Sequence, residues 1–226
     1  MPTLRSGKKP EGGYRSIKLT DSQMEKLGFS SDEKPEVLGC GTQACAYLPN
    51  PHSDAVVKIS KDHRDALAAY MIMNLPGGTP QWAIPIHAVY RLPDHTFVLV
   101  TTKADPLPED LADAIDEIYE YAYDDQVLDD WPEEYAEAKA HLKRESAKGE
   151  NCKVKLVALE AVNEAVMAFR KLGLDWADFH SGNWMIYNGR PVVVDFGMSV
   201  NLDEPPVDEL NERMAKPIRR IPVLEF

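Results

Sequence analysis

The sequence predicts an α+β chain of two lobes, a small β-rich N-terminal lobe and a truncated, mainly helical C-terminal lobe. Three observations carry that expectation. Val37 to Leu48 and Asp54 to Ser60 read as strands around a glycine-bearing turn. Lys153 to Leu172 is helical in period but too broadly apolar for a one-sided surface helix, as befits the centre of a helical lobe. Trp184 to Val194 holds two short apolar runs joined by Asn188-Gly189, a strong local hairpin signal.

Length and charge narrow the function classes. A chain of 226 residues suits one catalytic unit whose two lobes share a cleft. A formal net charge of -12 argues against direct nucleic-acid binding, which needs a basic face. The odd set Cys40, Cys45 and Cys152 has no metal-ligand spacing, so a reduced, cytoplasmic protein is expected. Met1 to Pro10 is polar and basic, and no apolar run reaches the length of a bilayer span, so neither export nor membrane insertion is expected.

In chain order, residues 1–34 form an N-terminal extension. Its basic start leads into one short helix, with Ser22 and Glu25 as a capping box and Gly28 as its stop. Residues 35–104 form the first lobe: the glycine hairpin, a strand ending near Lys58, a helix from about Asp62 to Asn74, and strands over 83–91 and 95–102. Residues 105–200 form a minimal second lobe. It opens with the most biased composition in the chain: fourteen acidic residues and no Lys or Arg between Asp105 and Glu137. Apolar residues recur among them at helical spacing, so one or two helices are expected, with the acids either a solvated face or a docking surface for basic partners. Residues 201–226 are a tail.

The chemistry concentrates after the long helix. Asp178 is followed five residues later by Asn183, and the second strand of the hairpin runs into Asp195-Phe196-Gly197. Hard oxygen donors at this spacing suit Mg²⁺ on nucleotide phosphates, opposite a nucleophile. Together with Gly39-x-Gly41 and Lys58 upstream, this order resembles the protein kinase-like superfamily over residues 35–200.

The resemblance implies ATP and Mg²⁺ as cofactors. It makes Asp178 the base for the acceptor hydroxyl and Asn183 and Asp195 the metal ligands, with Lys58 on the phosphates. Gly39, Gly41 and Ala44 become the nucleotide-covering loop, with alanine where the family has its third glycine. The Thr101-Thr102 connector is expected to meet adenine. The helix that normally supplies a glutamate to the lysine has none here, and Asp65 is the best substitute, with Asp62 behind it. His180 stands where a kinase lysine meets the γ-phosphate, and Trp176 where a histidine usually precedes the catalytic aspartate.

More narrowly, Gly41-x-x-Ala44, Val57-Lys58, Asp65-x-x-Ala68-Ala-Tyr70 and Asp178-Phe-His-Ser-Gly-Asn183 resemble the early Ser/Thr protein kinases of short-tailed bacteriophages. That likeness implies phosphorylation of host proteins in the host cytoplasm. Basic nucleic-acid-binding proteins, docked on residues 105–137, are the expected partners. Asp-x-His-x-Gly-Asn also occurs in aminoglycoside-type small-molecule kinases, which keeps a small-molecule phosphotransferase open, and the missing glutamate keeps open a non-catalytic acidic binding protein. The usual kinase helices after Asp-Phe-Gly are not in the sequence, so the acidic segment or a second copy of the chain is expected to cover the long helix.

Overall fold

The computed structural model describes residues 19–29, 35–41, 43–93, 96–124, 131–145, 149–174, 176, 178–197, 218 and 220–224. The expected basic N-terminal start, the acids Asp125, Asp129 and Asp130, and tail residues 201–217 lie outside them. The two-lobed α+β architecture, with a β-rich first lobe and a mainly helical second, is the one observed. Strands β1 (Glu36–Cys40), β2 (Ala44–Leu48), β3 (Ala55–Ser60), β4 (Ile86–Arg91) and β5 (Phe97–Thr102) form one antiparallel sheet in the order β1-β2-β3-β5-β4.

Strand alternation gives this sheet two buried faces. Val57, Ile59 and Val98 join a small core with Leu27 and Phe29, while Phe97 and Leu99 turn to the main core beneath α2 (His63–Met73). Lys58, between Val57 and Ile59, is thereby directed to the α2 side. Ala66, Ala68 and Ala69 are fully buried, so α2 presents a row of minimal side chains and can lie close to the sheet.

The cap of helix α1 (Asp21–Lys26) lies two residues earlier than expected, at Thr20. Thr20 Oγ1 accepts from the Gln23 amide at 3.3 Å, and Gln23 Oε1 accepts from the Thr20 amide at 3.0 Å. Ser22 and Glu25 are exposed within the helix instead. The buried position selects glutamine because its neutral amide also donates, to the Leu224 carbonyl at 3.4 Å, as a carboxylate could not. Gly28, at φ 79°, ends the segment as expected.

Three helices build the second lobe: α3 (Glu109–Asp124), α4 (Trp131–Glu145) and α5 (Glu150–Lys171). Buried Ala158, Val162, Ala165, Val166 and Phe169 make α5 its axis, and α3 and α4 both pack along it. The acidic segment therefore does cover the long helix. Some of its charge is answered in doing so, since Glu117 pairs with Lys155 at 2.6 Å, and a neutral contact adds to the packing where Trp131 Nε1 donates to Asn163 at 3.2 Å. Hairpin strands β6 (Trp184–Tyr187) and β7 (Arg190–Val193) turn through Asn188 at φ 50° and Gly189 at φ 74°, the left-handed pair that a tight hairpin needs.

Two features depart from or extend the sequence reading. Cys40 and Cys45 face each other across the β1–β2 register and are joined by a disulfide, leaving Cys152 free, where three reduced thiols were expected. The glycine turn between them brings the pair together. The C-terminal segment also returns to the first lobe: Arg91 donates to the Pro222 carbonyl at 2.9 Å and accepts from Leu224 at 3.0 Å, which occupies the outer edge of β4. Among the described residues, no helix is long and apolar enough to cross a membrane.

The main core runs through both lobes, with Phe169 stacked on Trp176 at 4.8 Å and against Trp82 at 5.2 Å. Phe169→Ala should destabilise the chain by about 3–5 kcal/mol. Val157→Ala, on the same helix but 47% exposed, should stay within about 0.5 kcal/mol in the same denaturant titrations. Equal effects would place the core elsewhere.

Candidate active site

Lys58 is the meeting point of the site. Its ammonium lies 2.8 Å from Asp65 Oδ2 on α2 and 2.9 Å from Asp195 Oδ1, beyond the end of β7. The Asp65 side chain is 2% exposed, and its other oxygen accepts from the Phe196 amide at 3.0 Å. The absent glutamate is thus replaced by an acid one methylene shorter, and the alanine face of α2 supplies the closer approach that the shorter reach requires. Asp62 serves the helix instead, capping α2 by accepting from the Arg64 amide at 2.9 Å.

The charges of this triad shape one another. Burial pushes Asp65 up to about 6 against the lowering pull of Lys58. Burial also disfavours the Lys58 ammonium, yet Asp65 and Asp195 outweigh it and hold the lysine above its ordinary value. Asp195 feels the same upward push from burial, but Lys58, the Gly197 amide and His180 bring it below its ordinary value.

Asp178, His180 and Asn183 share one tightly bonded loop. Asn183 Nδ2 donates to the Asp178 carbonyl at 2.5 Å, the Asn183 amide donates to the His180 carbonyl at 3.0 Å, and Gly182 donates to His180 Nδ1 at 3.1 Å. His180 Nε2 stands 3.5 Å from Asp178 Oδ1. Buried Phe179 anchors the loop from below, where its carbonyl accepts from Trp184 Nε1 at 3.0 Å. The Val194 amide donates to the Asn183 carbonyl at 2.9 Å, which ties this loop to the strand leading into Asp195.

The remaining predicted residues are placed less directly. Gly39 and Gly41 adopt no left-handed φ, and a Cβ on either would meet nothing within 4 Å, so neither local strain nor packing requires glycine there. Close approach of a ligand to the backbone would. Gly41 closes the turn onto the Ala44 carbonyl at 2.8 Å, and Ala44 lies within β2. Thr101 is inside β5, paired with both β3 and β4, and the Thr102 amide is engaged by the Pro85 carbonyl at 3.0 Å. That amide is therefore not available to a base.

The donors suit a hard divalent cation. The Asn183 amide nitrogen is turned to Asp178, which leaves its oxygen as the group to offer, and Asp195 meets Lys58 and Gly197 through Oδ1 alone among the described contacts. Among the described residues, no three His, Cys, Asp or Glu side chains form a metal cluster. Mg²⁺ is commonly held by one or two protein groups together with substrate phosphates and water. One group that the sequence did not single out also reaches the loop, Asp116 of α3, which is bonded to Ser181. Nothing in local spacing could have found it, because the two are 65 residues apart.

Residues 94–203 match the model of the phosphotransferase enzyme family named APH. No curated protein matches the chain. Among solved structures it is similar to a thermostable mutant of aminoglycoside phosphotransferase APH(4)-Ia in apo form, at 14% identity over 73% of this chain and 67% of that one, with a TM-score of 0.33. A ternary complex of such a mutant with AMP-PNP and hygromycin B gives 15% identity over 78% and 70%, with a TM-score of 0.37. The streptomycin–ATP–APH(2″)-IIa ternary complex gives 18% over 80% and 71%, with a TM-score of 0.33. The matched stretch spans just under half of the chain; Asp178, Asn183 and Asp195 fall within it, and Lys58 and Asp65 before it.

The raised Asp65 carboxyl has a measurable sign. Its folded value of about 6 lies above the ordinary 3.8, so the fold binds its proton more tightly than the unfolded chain does. In metal-free protein its contribution to stability should be fully present below about pH 4 and be lost as pH rises through about 6. The shift corresponds to a change on the order of 3 kcal/mol. Between pH 4 and 7, urea midpoints of the native protein should show this trend and those of Asp65→Asn should lack it. Identical profiles would remove the assignment.

Proposed function

We propose that the chain is an ATP- and Mg²⁺-dependent protein kinase that transfers the γ-phosphoryl group to Ser or Thr hydroxyls. The observation that carries the phosphotransfer reading is Lys58 held between Asp65 and Asp195, beside the loop bearing Asp178, His180 and Asn183. Lys58 binds phosphate oxygens. Asp178 orients the acceptor hydroxyl and takes its proton as that oxygen bonds to the γ-phosphorus; the bond from phosphorus to the bridging oxygen breaks and ADP leaves. Asn183 and Asp195 would hold Mg²⁺, which would supply neutralisation of the phosphate charge. His180 faces the transferred group. Because Asp65 answers Lys58, the missing helix glutamate no longer favours a non-catalytic binding protein.

Protein acceptors are supported by the motif resemblance to phage early kinases, which points to host proteins as targets. The acids of α3, alongside the catalytic loop, favour basic ones, whose attraction weakens as salt shortens the Debye length to ~8 Å. A second reading, phosphoryl transfer to a small-molecule hydroxyl, is favoured by the match of residues 94–203 to a phosphotransferase family.

Labelled ATP offered with basic bacterial proteins, and separately with an aminoglycoside, separates the two. Acid-precipitable label on Ser or Thr supports the protein kinase, and label confined to the small molecule supports the second reading. Asp195→Ala should abolish transfer to either acceptor. Asp178→Asn should keep ATP binding while transfer falls by ~10²–10⁴-fold. Binding lost together with transfer would give Asp178 a structural role.

A further inference from the structure

The acidic segment contains one residue whose surroundings differ from those of a solvated face. Asp116, near the middle of α3, is half-buried, and both of its carboxylate oxygens are engaged by one residue of the catalytic loop. Oδ1 accepts from the Ser181 amide at 2.6 Å, and Oδ2 accepts from Ser181 Oγ at 2.7 Å. Ser181 lies between His180 and Asn183, one and two residues from groups assigned to the γ-phosphate and the metal. A paired, charge-assisted contact of this kind fixes direction as well as distance.

Tyr119 repeats the contact one helical step along the same face. Its ring meets Phe179 edge-on at 5.3 Å and His180 at 5.9 Å. Two neighbouring side chains of α3 thus hold the loop on both sides of His180, one through the Ser181 backbone and hydroxyl and the other through rings. Asp110, Asp113 and Glu117 lie elsewhere on α3, around a hollow of about 390 Å³ against α5, and do not make this contact.

We propose that Asp116 is a positioning residue of the phosphotransfer reaction: it clamps Ser181 and so sets where His180 and Asn183 stand relative to the nucleotide. The inference rests on the phosphotransfer reading for its catalytic part. The clamp itself is independent of that reading. It also means that the fourteen acids do not act alike, since this one serves the catalytic loop from within.

The test compares wild type with Asp116→Ala, Asp116→Asn, Ser181→Ala and, as a control, Asp113→Asn, using Mg-ATP and its conversion to ADP. For Asp116→Ala, kcat should fall about 10- to 100-fold while KM for ATP stays within about twofold, because misplacement of reacting groups costs rate rather than nucleotide affinity. Asp116→Asn keeps an acceptor for the amide and a group able to donate to the hydroxyl, so it should recover to within about threefold of wild type. Ser181→Ala, which removes only the hydroxyl bond, should fall between them, and Asp113→Asn should match wild type.

Backbone hydrogen exchange over residues 180–184 should accelerate in Asp116→Ala and remain slow in Asp116→Asn. Wild-type kcat in Asp116→Ala, an asparagine variant no better than alanine, or unchanged exchange in the loop would each overturn the inference. If wild type neither binds nor turns over Mg-ATP, the phosphotransfer reading falls and takes the catalytic part with it. The exchange data then still decide whether Asp116 clamps the loop.

Discussion

A lysine withdrawn from water must be answered by acids, and the fold is arranged around answering Lys58. An ammonium and two carboxylates carry a desolvation cost that only close pairing offsets, and removing one partner would leave an uncompensated charge in a poorly hydrated place. The partners come from opposite sides of the cleft: Asp65 from the helix under the sheet, Asp195 from the end of the second-lobe hairpin. Each distance in that triad is a condition on where a whole element can sit. Helix α2 meets its condition with alanine, since a bulkier face at positions 66, 68 and 69 would hold the shorter aspartate out of reach.

Asp65 also joins two kinds of constraint. One oxygen serves the lysine and the other serves the backbone amide of Phe196, so the helix senses the conformation of the chain just after the proposed metal ligand. Gly197 completes the turn, for a Cβ there would come within 3.2 Å of Asp195 Oδ1 and 3.5 Å of Asp62 Oδ2. A larger residue there would make the Asp195 carboxylate give by a few tenths of an ångström, so the neighbouring acid, not φ, favours a small residue. Helix, lysine strand and Asp-Phe-Gly segment consequently form one mechanical unit.

What the sequence made legible was local. The strand runs around the glycine-bearing turn located the sheet and put Lys58 near a strand end; Asn188-Gly189 located the second hairpin; the broad apolar face of 153–172 located the lobe axis. Asp65 was also recoverable, because a glutamate-free helix beside a candidate nucleotide lysine leaves few acids to choose from. The cap at Thr20 was missed because Gln23 is selected by a contact 201 residues away, to Leu224. The disulfide was missed because an odd cysteine count says nothing about register. The bond from the Thr102 amide to Pro85 was not legible, because Pro85 sits in the connector before β4, where no local pattern marks it. Only the first of these misses turns on a contact distant in sequence; the disulfide joins residues five apart.

The return of the C-terminal segment to β4 reaches the interior of the first lobe as well as its edge. The chain leaves the first lobe at Lys103 to Asp105 and comes back to it at Ile221 to Leu224, where Leu224 is buried with Leu27 and Phe29. The last described residues thus close the small core from outside, and a change far along the chain is felt in the first lobe. Losing Leu224 would uncover Leu27 and Phe29 and leave the Arg91 carbonyl on the β4 edge without its amide.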